Sequence, residues 1–169
     1  MEKDGDHLAG LNIRPFSPAD LEAIVDIDRK VLGKERRDYW KSKIELSSTK
    51  YPLSCLVAEA EGTVVGFILG EVSGWEFGIP DTIGWISTIG VYPSYQHRGI
   101  ARSLSQEFVK NLKGIGVGII YTLVNWSDWD LLKFFRAMGF TRGGEMINLE
   151  LRINQEERSP SGNHGNSAY

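Results

Sequence analysis

Cysteine is almost missing from this chain: Cys55 stands alone among 169 residues. One cysteine cannot close an internal disulfide, so a reducing, cytoplasmic setting is expected. Cys55 lies in Leu53-Ser54-Cys55-Leu56-Val57-Ala58, which alternates as a strand does, and reads as a small buried hydrophobe. The three histidines, at 7, 97 and 164, share no ligand spacing with one another or with carboxylates, so no metal is expected. The longest apolar runs, residues 63–69 and 115–124, are short and broken by glycine, which excludes a membrane-spanning helix. An excess of basic charge is missing too. A net charge of −3 and a pI near 5.6 weigh against a nucleic-acid partner. Met1 to Gly10 is charged and has no apolar core, so no secretory signal is expected. Nor is there a Gly-Lys-Ser/Thr ending for a Walker loop, or a G-x-G-x-x-G after a strand.

What is present is a strand that runs into a helix through a small-residue turn. Trp85-Ile86-Ser87-Thr88-Ile89-Gly90-Val91 reads as a largely apolar strand, and Pro93 ends its ladder by removing a donor. Beyond the turn, Ile100, Leu104, Phe108 and Leu112 recur every four residues and mark the apolar face of a helix. Backbone N–H groups at such a junction, with the positive end of the helix dipole, suit a phosphate or pyrophosphate. Gly99 has no Cβ and Ala101 is small, so an anion can come close. His97, Arg98 and Arg102 can add cationic donors at the rim.

The remaining elements follow from the same signals. Residues 11–15 read as a first strand. Ser17 as N-cap, Pro18 at the first position and Asp20 in the first turn open a helix that Gly33 closes. A second helix is expected from about Glu35 to Leu46, with Tyr39, Trp40 and Ile44 inward. Residues 53–60 and 63–71 form a hairpin through Glu61-Gly62, and residues 72–81 read as a Gly-rich, aromatic loop. Residues 119–124 read as a strand. Ser127, with Asp130 three residues on, is expected to cap a helix closed by Gly139, and Met146 to Ile153 is the last strand. The order is β-α-α-β-β-β-α-β-α-β, an α/β fold with a mixed, mostly antiparallel sheet flanked by helices. Residues 11–153 form a single domain, flanked by a flexible segment at 1–10 and a polar tail at 154–169.

Gln96-x-x-Gly99-x-Ala101, preceded by Val91-x-Pro93, resembles the acyl-CoA-binding signature of the GNAT superfamily of N-acetyltransferases. Phe134-Phe135-Arg136-Ala137-Met138-Gly139-Phe140 resembles the family's F-Y-x-x-x-G-F ending of the fourth helix, and the order of elements over residues 11–153 matches the GNAT fold. The resemblance implies transfer of an acetyl group from acetyl-CoA to a primary amine of a small molecule, a peptide or a protein. It places the pyrophosphate over Gln96, His97, Arg98, Gly99, Ile100, Ala101 and Arg102, and the pantetheine arm against Ile89, Gly90 and Val91. Asn125 stands where relatives often bond the pantetheine; it can equally be a plain helix-opening residue.

The departures bear on chemistry. Phe135 occupies the place of a tyrosine that protonates the departing thiolate in many relatives, and phenylalanine has no proton to give. Where some relatives carry a glutamate on the fourth strand, this chain offers only Trp85 and Ser87. Glu71 and Asp81 are the candidate general bases, with Glu76 nearby; a water chain is the alternative. Trp75, Phe77, Trp85, Trp126 and Trp129 surround the expected acceptor mouth, or else serve as core or a homodimer face. A domain that binds acyl-CoA without turning it over, as a sensor or interaction module, is the competing class.

Overall fold

A computed structural model describes residues 10–50, 53–74, 82–143 and 151. In chain order the elements are β1 (Asn12–Pro15), α1 (Leu21–Leu32), α2 (Arg37–Lys50), β2 (Cys55–Ala60), β3 (Thr63–Gly74), β4 (Thr82–Val91), α3 (Ile100–Gly114), β5 (Ile119–Thr122) and α4 (Trp129–Ala137). The strands lie in the order β1-β2-β3-β4-β5. The first four pair antiparallel and β5 joins β4 in parallel. This is the mixed α/β sheet expected from the sequence. The last expected strand, Met146 to Ile153, falls outside the described residues except for Leu151.

Side chains alternate across the sheet, and two separate cores result. On one face α3 lays down the expected stripe: Ile100, Leu104, Phe108 and Leu112 are all buried against Leu56, Ala58, Ile68 and Ile86. On the other, α1 and α2 bring Ile24, Ile27, Trp40 and Ile44 onto Cys55, Val57, Phe67 and Leu69. Trp40 meets Phe67 edge-on at 4.8 Å, a geometry that aligns ring edge with ring face.

Two polar clamps set the helix pair. Asp20, in a 3₁₀ turn over Pro18–Asp20, accepts from Ser17 N–H at 2.7 Å and from both arms of the Arg14 guanidinium at 2.8 Å. Burial pushes its carboxyl up, but the Arg14 fork and the Ser17 donors outweigh that and hold it below the usual carboxylate range. Asp28, fully buried on α1, is gripped by Arg36 at 2.7 and 2.9 Å. Arg36 itself lies 4.7 Å over the Tyr39 ring, so the turn between α1 and α2 is fixed from both sides.

Several boundaries differ from the sequence reading. β3 continues to Gly74 and β4 starts at Thr82, with Val72 opposite Gly84 and Ser73 opposite Ile83. Residues 72–74 are therefore strand, not loop, because a long-range partner satisfies their backbone. α4 is capped by Asp128, whose Oδ1 accepts Leu131 N–H at 3.0 Å. Ser127 does not cap it: its N–H and hydroxyl both donate to Asn125 Oδ1, at 3.0 and 2.8 Å. β5 stops at Thr122 rather than Val124.

Candidate active site

β4 and β5 pair only over Ile83–Ile86 against Ile119–Thr122. Thr122 Oγ1 closes the pairing by donating to Ile86 C=O at 3.1 Å, and β5 ends there while β4 runs on to Val91. The end of the pairing coincides with a bulge. Leu69 faces Thr88 and Gly70 faces Ile86, so Ser87 is an extra residue on β4. A bulge raises local twist and bends the strand, and beyond it β3 still pairs with residues 88–91. Among the described residues that stretch of β4 has a partner on one side only.

The same strand leads into the anion cradle. Tyr92 N–H donates to Val65 C=O at 2.8 Å, and a 3₁₀ turn over Pro93–Tyr95 follows. His97 (φ 62°) and Gly99 (φ 79°) both adopt the left-handed conformation, a sequence of turns that brings consecutive N–H groups to one side. The first helical bond of α3 runs from Ser103 N–H to Gly99 C=O at 2.9 Å. The N–H groups of Ile100, Ala101 and Arg102 thus precede the ladder and project from the helix start. No atom lies within 4 Å of where a Cβ on Gly99 would stand, so the space over the cradle is open.

Each described residue singled out in the sequence has a definite place. Gln96 anchors rather than lines the cradle: its Nε2 donates to Val91 C=O at 3.1 Å and its N–H to Pro93 C=O at 3.3 Å. His97, Arg98 and Arg102 are exposed at the rim, with Arg98 5.4 Å over the Tyr95 ring. Ile100 is buried under the cradle. Ile89 and Val91 pack toward α3. Gly90 is glycine for packing, since a Cβ there would come within 2.8 Å of Phe67. Asn125 spends its side-chain oxygen on the Ser127 turn, leaving its amide N–H₂ as the free function. Phe135 is buried between Phe134 and Phe140 at 5.2 and 5.1 Å.

Glu71 lies on the α1–α2 face, opposite Trp85 across the β3–β4 ladder. With Ser87, Lys43, Leu46, Cys55, Leu69 and Gly70 it lines a cleft beside the β4 bulge. Trp85 stacks on Tyr121 of β5 at 5.2 Å. The structure therefore brings Glu71 to the point where β4 leaves β5. Asp81, Glu76, Trp75 and Phe77 lie outside the described residues. Trp126, in the β5–α4 connection, and Trp129, the first residue of α4, form an exposed pair 6.1 Å apart. Sequence reasoning missed the bulge at Ser87, the Thr122 closure and Lys43. None has a local signature, although Thr122 at the end of an apolar strand is a visible polar exception. Among the described residues no cluster of His, Cys, Asp and Glu suits a metal, and no helix is long and apolar enough to cross a membrane.

The start of α3, with its free N–H groups, thus lies next to a stretch of β4 that pairs on one side only among the described residues. The model of the acetyltransferase (GNAT) family matches residues 21–140, and the chain belongs to that family. It is 34% identical over 91 residues to the N-alpha-acetyltransferase RimI of Mycobacterium tuberculosis, covering 52% of this chain and 51% of that protein. To a mycothiol acetyltransferase of Thermomonospora curvata it is 31% identical over 91 residues, 54% of this chain and 29% of that protein. The chain spans about half or less of the length of these curated relatives. An aminoglycoside N-acetyltransferase solved in complex with CoA superposes with a TM-score of 0.73 at 19% identity, covering 90% of this chain and 100% of that one.

Proposed function

We propose that the chain is an N-acetyltransferase that moves an acetyl group from acetyl-CoA to a primary amine. One observation carries the reading: the open anion cradle at the start of α3 is continuous with the stretch of β4 that, among the described residues, pairs on one side only. Phosphates need convergent N–H donors without a side chain in the way, and Ile100 to Arg102 with the bare Gly99 meet that need. An extended amide-bearing arm needs a strand edge, and, among the described residues, 87–91 supply one. The adenine-nucleotide end would be held by His97, Arg98 and Arg102, and the arm by the backbone of Ile89, Gly90 and Val91. Asn125 Nδ2 is available to the arm, and Phe135 backs the thiol end from the core.

When bound, acetyl-CoA supplies the acetyl group already activated as a thioester. The chain's task is to deliver a neutral amine, because an ammonium has no lone pair for attack. Glu71 takes that proton at its carboxylate, directly or through one water in the cleft it shares with Ser87. A β4 N–H past the bulge meets the thioester oxygen as charge grows on it. The C–N bond forms, the C–S bond breaks with its electron pair on sulfur, and the thiolate leaves without a dedicated acid. Phe135 cannot serve as one, and a thiolate is a tolerable leaving group near neutral pH.

Phe135 also favours a second reading, a domain that binds acyl-CoA silently, since its buried ring replaces the expected hydroxyl. Incubation with acetyl-CoA and a panel of amines and peptides separates the two. The expected result is free thiol released in step with acetylated acceptor by mass spectrometry. Acetyl-CoA binding with no thiol release above background from any acceptor would leave the silent binder.

A further inference from the structure

We infer that Lys43 is a specificity residue for the acceptor, and that it selects a polypeptide amino-terminus carrying a carboxylate side chain within its first three residues. The inference rests on the acetyltransferase reading and adds what the amine is attached to. The cleft that ends at Glu71 and Ser87 does not stop at α2. A second cleft, running past Ser42 and Tyr39 to Asp38, shares Lys43 and Leu46 with the first. The two clefts adjoin at Lys43 and Leu46 on α2.

Length argues for a chain rather than a small amine. From residue 38 to residue 46 a helix climbs about 12 Å at 1.5 Å per residue. That distance holds roughly three to four residues of extended chain at about 3.3 Å each. The inner cleft encloses only about 20 Å³, so an acceptor whose amine reaches Glu71 lies mostly in the outer cleft of about 470 Å³. Leu46, 55% exposed, gives the groove an apolar wall on which an acceptor side chain can rest.

Charge sets the preference. The groove reads acidic at Glu71, basic at Lys43 and acidic at Asp38. Lys43 is half-buried, and its ammonium lies 5.7 Å over the Tyr39 ring. That contact positions the cation without neutralising it. Among the described residues Lys43 has no ion pair, whereas Arg29, Arg36 and Arg37 each have one and Arg14 has two. A terminal ammonium followed closely by a carboxylate complements Glu71 and Lys43 in order. A diamine would set its second positive charge against Lys43 and be disfavoured.

The test uses hexapeptides that differ only in Asp, Asn or Lys at position one, two or three. Each is measured by thiol release and, with a fluorescent label at its carboxyl end, by anisotropy. At one of these positions the Asp peptide should exceed the Asn peptide about tenfold in kcat/KM and in binding, and the Lys peptide by more. Lys43→Glu should invert that order and Lys43→Gln should flatten it, both with acetyl-CoA affinity kept. Equal values for Asp, Asn and Lys at all three positions would overturn the inference. So would an order that survives Lys43→Glu, or a simple monoamine acetylated as efficiently as the best peptide. Should no acceptor be acetylated, the transferase reading falls, and the anisotropy series alone still decides whether Lys43 reads a carboxylate.

Discussion

On its α3 face the sheet gives up side chains at three glycines so that a helix can lie close; on its α1–α2 face it does so at Gly90 and leaves part of the surface uncovered. Gly66, Gly70 and Gly84 stand beneath Leu104, Phe108 and Leu112, where an added Cβ would come within 3.3, 2.4 and 2.4 Å of those side chains. Across the sheet, Glu71, Trp85 and Tyr121 form a row over three strands that remains half-open. The first face is therefore sensitive to volume, and the second to chemistry. Mutations should sort the same way: loss of folding on one side, loss of turnover with folding intact on the other.

The largest effect belongs to the packed face. Phe135 completes that core from α4, with Phe134 and Phe140 against its ring. Phe135→Ala should destabilise by about 3–5 kcal/mol through the cavity it leaves, read as a lowered midpoint in urea unfolding. Phe135→Tyr should leave turnover the same or raise it. An Ala variant that unfolds like the parent would show that the ring does not hold the core, and the contrast between faces would weaken.

On the open face, Glu71→Gln removes a carboxylate from an exposed position on β3 and should cost less than about 0.5 kcal/mol of stability. Its effect on chemistry should be far larger. Loss of a general base lowers kcat by about a hundredfold, equivalent to about 2.7 kcal/mol of barrier, and the rise of activity with pH should flatten. Parental turnover and an unchanged pH profile in this variant would assign proton removal to water or to Asp81.

How far the sequence reaches depends on whether a signal is local. α3 and its cradle are legible because a four-residue apolar spacing and a glycine at the turn are written within fifteen residues, Ile100–Gly114, and the step before it. Gly33 closing α1 at φ 71° is legible for the same reason. The extension of β3 to Gly74 is not, since it depends on cross-strand partners Gly84, Ile83 and Thr82 about ten residues away. Nor is the bulge at Ser87, which is a matter of register and leaves no mark in composition. The cap on α4 falls one residue past the Ser127 that the sequence suggests, because Asn125 captures Ser127 first, a competition between two local motifs that periodicity cannot rank. Along the sequence Glu71 is one of several carboxylates near the expected site. What sets it apart is the cleft it shares with Ser87, and only the folded sheet brings those two strands together.

The last and smallest effect concerns the cradle, where the two faces meet at the end of β4. Gly99 is left-handed at φ 79°, with no atom within 4 Å of the point a Cβ would occupy. A side chain there would have room but would stand in the space proposed for the phosphates. Gly99→Glu adds bulk, strain at positive φ and a like charge, so acetyl-CoA affinity should fall at least about tenfold, or about 1.4 kcal/mol. Gly99→Ala separates these causes. It carries the backbone strain without the charge, of order 1–2 kcal/mol in stability for a residue held left-handed, and should weaken binding less than Glu does. Calorimetry that finds both variants binding like the parent would move the pyrophosphate away from this turn and leave the open edge of β4 without its neighbour.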